Sequence, residues 1–177
     1  MRTQRGITLI EASMVTAVAA ITLSSATPGL HRLIEAQRLE GAAARLASDL
    51  QFTRAEAVLG QHALRLSWHR APWGSCYVVH SGNAHDCECG ASGPARCTGI
   101  AREVKTVQWP ASEGIVLKGN VDSMLFDPLH GTSTPAGTLE VVAASGRTIR
   151  QVVNVMGRVR SCSPQDPASA VAGLRAC

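Results

Sequence analysis

Arg158 and Arg160, two residues apart and preceded by Gly157, are the side chains whose type and spacing point most directly to a chemistry. On an extended strand, residues i and i+2 face one side about 6.6 Å apart, so both guanidiniums can reach one phosphate backbone while Val159 points inward. Arg147 and Arg150 would widen such a patch, as would Arg175, with Lys118 a lesser addition. Between Arg147 and Cys177 five arginines stand against Asp166 alone, so the basic surplus is C-terminal, while the whole-chain charge of +4 is unremarkable. The competing reading is that two arginines on an edge strand form a solvated face that blunts edge pairing.

The cysteines come next. Six are many for a chain of this size and fit an oxidising compartment. Cys162 and Cys177 bracket a Pro-containing tail and are expected to pair. Cys76, Cys87, Cys89 and Cys97 lie in a loop rich in Gly, Ser and Ala, with His80 and His85 nearby. Their C-x-C core with ten- and seven-residue gaps does not match the paired knuckles of a zinc ribbon, so disulfides are expected, with connectivity open and no metal. No nucleophile elbow, paired-His metal motif or Gly-rich phosphate loop is visible, so catalysis and cofactors are not expected. His62, His69, His80, His85 and His130 are read as loop or surface residues.

The elements that would position these residues begin with an apolar N-terminus. Arg2 and Arg5 precede Gly6, and the nineteen residues from Ala12 to Leu30 carry no charge, enough for about 28 Å of helix. Positive charge before the segment would keep the N-terminus cytoplasmic and send the remainder outward. A secretory signal is cut after its apolar region, whereas the leader break at Gly6 precedes it. Glu11, an acid inside that region, is costly there and is normally retained for a purpose. From residue 31 to Gly60 an amphipathic half follows, with Leu39, Ala43, Leu46, Leu50 and Ala57 on one stripe and Gly60 as its C-cap, the whole helix bent near Pro28 and Gly29. Short alternating runs then predict strands at Ala63–Trp68, Cys76–His80, Val104–Trp109, Ile115–Lys118, Ser123–Phe126, Thr138–Ala143, Thr148–Val155 and Arg158–Ser161. Ser145-Gly146 reads as a hairpin turn. The fold class is α+β, one N-terminal helix laid on antiparallel sheet.

Gly6-Ile7-Thr8-Leu9-Ile10-Glu11 resembles the class III signal of type IV prepilins and pseudopilins. The resemblance implies cleavage after Gly6 by a prepilin peptidase, methylation of Ile7 where Phe is more usual, and pairing of Glu11 with a neighbouring subunit's N-terminal amine. Leu46 to Ala57, Phe126 to Gly131 and Val155 to Arg160 are similar to phrases of the GspH/FimT family. Gly157-Arg158-Val159-Arg160 resembles the G-R-x-R motif of its DNA-binding minor pilins.

That resemblance implies a type IV pilin-like fold: a leader over residues 1–6, a transmembrane and assembly helix over 7–30, its amphipathic half over 31–60, and a β-rich domain over 61–177. It implies insertion in the inner membrane with a periplasmic C-terminal domain, then incorporation into a pilus with other major and minor pilins through the assembly platform. The function expected is capture of double-stranded DNA for natural transformation, with Gly157 presenting Arg158 and Arg160. Six aromatic residues are too few for a base-stacking platform, which favours duplex. The alternative is a structural pseudopilin of type II secretion, or a priming minor pilin, without DNA binding.

Overall fold

The computed structural model describes residues 8–177, apart from the side chains of 25–28, so Gly6 and Ile7 lie outside the described residues. The chain divides into two compact units, one ending at Ala36 and the other Gln37–Cys177. Helix α1 runs Leu9–Leu59 and is the one helix among the described residues long and apolar enough to cross a membrane. Hydroxyls in its apolar part are satisfied by the helix itself: Ser13 Oγ donates to Ile10 O at 2.8 Å and Thr16 Oγ1 to Ala12 O at 3.0 Å. Thr8 and Glu11 have capping-box spacing, and Glu11 N donates to Thr8 Oγ1 at 3.4 Å.

The α1 C-terminus has Gly60 at the expected C-cap position, directly after Leu59. His62 N bonds Ala57 O and Gln61 N bonds Val58 O, a Schellman pattern whose left-handed residue is Gln61, at φ 52°, next after the C-cap.

Two antiparallel sheets follow. The first has order β5-β2-β1-β7-β8, from β1 (Leu64–Ala71), β2 (Gly74–His80), β5 (Glu103–Pro110), β7 (Ser123–Phe126) and β8 (Ser133–Thr134). The second has order β11-β10-β9-β6, from β6 (Ile115–Gly119), β9 (Gly137–Ala143), β10 (Thr148–Val153) and β11 (Val159–Cys162). A small ribbon pairs β3 (Cys87–Glu88) with β4 (Arg96–Cys97). The predicted strands are all present, and the β9–β10 hairpin turns at Gly146, φ 88°. β10 stops at Val153 because the chain turns at Asn154–Gly157.

The predicted stripe of α1 is the core face. Leu39, Ala43, Leu46, Leu50 and Ala57 are buried against inward residues of both sheets, among them Leu66, Tyr77, Val79 and Phe126 of the first and Leu117, Leu139 and Val141 of the second. Thr53 fills the remaining stripe position, buried with Oγ1 donating to Asp49 O. Polar ties fix the helix register: Gln151 Nε2 donates to Ala43 O at 3.0 Å, and Asp49 accepts from both Tyr77 and Lys105.

Every residue of β2 is buried, because both faces of the first sheet are covered. Tyr77 and Val79 face α1, while Cys76, Val78 and His80 lie under the 81–102 loop. Cys76–Cys89 and Cys87–Cys97 staple that loop, and Ser67 Oγ and Gln108 Nε2 donate to its carbonyls. Cys162–Cys177, the expected pair, closes the C-terminal tail onto β11, so no cysteine is free.

His80 is therefore not a loop or surface residue. Its ring is buried between Ser67 Oγ at 2.9 Å and Ser81 O at 2.9 Å. His69 lies on β1 opposite Cys76, its Nε2 buried without a hydrogen-bond partner. A covering loop turned one apparent surface histidine, His80, into an interior one, while His69 is half-buried.

Candidate nucleic-acid interface

The C-terminal arginines sit at a built turn. Gly157 N donates to Asn154 O at 2.8 Å, Asn154 N to Arg158 O at 3.2 Å, and Arg158 N to Asn154 Oδ1 at 2.9 Å. One Asn thus closes the β10–β11 connection with backbone and side chain together. Gly157 is required twice over. Its φ is +68°, and a Cβ there would run into Gly131 O and come within 2.8 Å of Arg54 Nε. Arg54 Nε in turn donates to Gly131 O at 2.8 Å. The three motif segments, from α1, the Phe126–Gly131 turn and the closing hairpin, therefore meet at Arg54, Gly131 and Gly157.

Arg158 and Arg160 are both exposed and line one groove of about 450 Å³ with Val152, Asn154 and Val159. Val159 is half-buried and packs on the core. β11 is an edge strand, and Arg160 pairs with Val152. Two cations thus share a face around a structural Val, which suits contact with closely spaced phosphates.

The other candidate cations are set apart. Arg150 lies beside Cys162 in the register, but its Nε is held by Glu140 Oε1 at 2.7 Å and the pair is partly buried. Arg147 precedes β10, so the strand length puts it about 20 Å from the Asn154–Gly157 turn. Lys118 is on β6, the opposite edge of the sheet. Arg175 is exposed on the tail, its carbonyl accepting from Ser163 N at 2.8 Å.

Arg54 and Asn154 are functional-site neighbours that sequence reasoning passed over. Arg54 stood inside a quoted motif, but nothing local reveals a contact to a carbonyl 77 residues away. Asn154 carried a turn signal that was spent on extending the preceding strand.

A family model described as type II transport protein GspH matches residues 42–157. The chain belongs to the GspH family. This match spans well over half of the chain and stops at Gly157, one residue short of Arg158. Two crystal forms of the type IV minor pilin FimU of Pseudomonas aeruginosa have a similar fold. One gives a TM-score of 0.54 at 17% identity, covering 78% of this chain and 95% of that one; the other gives 0.51 at 18%, covering 76% and 98%. No curated protein matches. The GspH-family chain has the type IV pilin-like α+β fold, an apolar N-terminal helix followed by an antiparallel sheet domain. It is a minor pilin or pseudopilin of the type IV pilus or type II secretion kind, and its apolar helix and family fit membrane anchoring and association with other pilins.

Proposed function

We propose that this GspH-family chain is a minor pilin that captures duplex DNA through phosphate contacts from Arg158 and Arg160. Prepilin peptidase cuts after Gly6, Ile7 becomes the methylated N-terminus, and Glu11 pairs with the N-terminal amine of a neighbour. The apolar helix is held in the inner membrane with the C-terminal domain outward until assembly draws it into the fibre. No bond in the DNA is made or broken by this chain; it adsorbs, and the fibre carries.

The observation that supports this reading is the pairing of Arg158 and Arg160 on one exposed groove next to a turn fixed by Gly157 and Asn154. Arg150 drops out of the contact set because Glu140 already neutralises it, and Arg147 because it sits at the far end of β10. A gel shift with random duplex, using oxidised fragment from about Leu30 onward, tests the proposal. Binding should disappear with Arg158→Gln and Arg160→Gln together while the fold survives; retention of full binding sinks it.

A second reading has one observation in its favour. The family match ends before the arginines, so membership alone carries no DNA contact. A structural pseudopilin or priming subunit would use the same fold and leave both guanidiniums to solvent.

A further inference from the structure

A second groove of the sheet domain has a chemistry that a phosphate backbone does not exploit. It lies between the last turns of α1, the 129–130 turn and the closing hairpin, and holds about 740 Å³. Arg54 and Arg158 supply its cationic side, and no carboxylate lines it among the described residues. Asp127 Oδ1 accepts from the backbone amides of Leu129 and His130 at 3.0 and 2.8 Å and lies 3.3 Å from His130 Nδ1, so the His130 ring is already partnered. Val58 contributes to the lining, and Leu59 and Leu129 stand at 81% and 80% exposure. Two leucines left so open beside two guanidiniums mark a surface that is covered in use. Phosphates gain nothing from leucine, whereas a protein segment with a carboxylate between apolar side chains satisfies both halves.

We propose that this groove docks a neighbouring subunit of the same filament through an acidic side chain flanked by apolar ones. The carboxylate would pair with the guanidiniums of Arg54 and Arg158, where charge-assisted, forked hydrogen bonds are available. The flanking apolar groups would cover Leu59 and Leu129. The inference rests on membership of the GspH family and not on DNA capture. Arg158 lines both grooves and Arg160 only the smaller one, so docking and DNA compete for Arg158 alone.

Amide NMR of the full chain in detergent micelles tests it, with acetyl-Leu-Glu-Leu-amide as probe, acetyl-Leu-Gln-Leu-amide as its uncharged counterpart and a short random duplex as competitor. The Glu peptide should shift the amides of Leu59, Leu129 and Arg158 saturably, and the Gln peptide should bind about tenfold more weakly. Leu59→Asp with Leu129→Asp, both at exposed positions, should abolish the peptide response and leave DNA-induced shifts at Arg160 intact. Equal binding of the two peptides, a response surviving in the double variant, or no shift in the groove overturns the proposal. Duplex that shifts Leu59 and Leu129 while the peptide does not assigns the groove to DNA and overturns it equally. A peptide response in a chain that ignores duplex upholds docking and removes the DNA reading instead.

Discussion

Asp49 is 3% exposed and accepts two hydrogen bonds, from Tyr77 Oη at 2.6 Å and from Lys105 Nζ at 2.6 Å. Burial first, then the bond to Asp49, hold the Tyr77 phenol far above its ordinary range, so it remains a donor. The two partners do not depend on Asp49 equally. Lys105 keeps 38% of its side chain in water and can be solvated without it, whereas Tyr77 is fully buried and cannot. Asp49→Ala should therefore cost about 1–3 kcal/mol in urea unfolding, the price of an orphaned buried hydroxyl. Lys105→Met should also destabilise, because it leaves the buried Asp49 carboxylate without its cation; a urea midpoint unchanged in either variant would contradict this account.

His80 makes a pH prediction. Burial, the largest cause, pushes its imidazole below the ordinary value despite the Ser81 carbonyl. A folded-state value below the unfolded one means that protonation favours the unfolded chain. The stability is complete above about pH 6.5 and is lost as pH falls from there through the lowered folded value. Urea midpoints measured across that window should fall with pH, and His80→Gln should flatten the fall. A slope unchanged in the variant would place the effect elsewhere. The burial of His80 was not legible in sequence, because it depends on a loop whose course two disulfides decide. The buried Gln151 was equally hidden, its partner carbonyl at Ala43 being 108 residues away.

At the scale of elements, periodicity carried most of the information. The stripe from Leu39 to Ala57 is the helix face that the core buries, and each alternating run became a strand. β3, β4 and β8 were invisible because two residues cannot display alternation. β2 was visible as a strand but not as one buried on both faces, since its outer partners come from a loop without periodicity. Cys162–Cys177 spans 15 residues of tail that carries Val171 into the core and lies against the start of β10 through Thr148 N and Ser169 O. Cys162→Ser with Cys177→Ser should cost about 3 kcal/mol, the closure entropy of such a loop. Chemical denaturation would register it, and an unchanged midpoint would show that the tail is held by packing alone.

The whole molecule joins a helix able to cross a membrane to a disulfide-bearing domain of the GspH family. Its candidate site was half legible. Arg158 and Arg160 could be read as a pair, because a strand places i and i+2 on one side. The loss of Arg150 to Glu140 could not be read, because that pairing crosses between strands. What the molecule does with the exposed pair is decided most directly by the salt dependence of duplex binding. Two phosphate contacts predict a slope of log K against log salt of about −1.8, falling to about −0.9 in either Arg158→Gln or Arg160→Gln. A slope that neither substitution alters, or the absence of binding by folded and oxidised protein, would contradict DNA capture and leave a structural filament subunit.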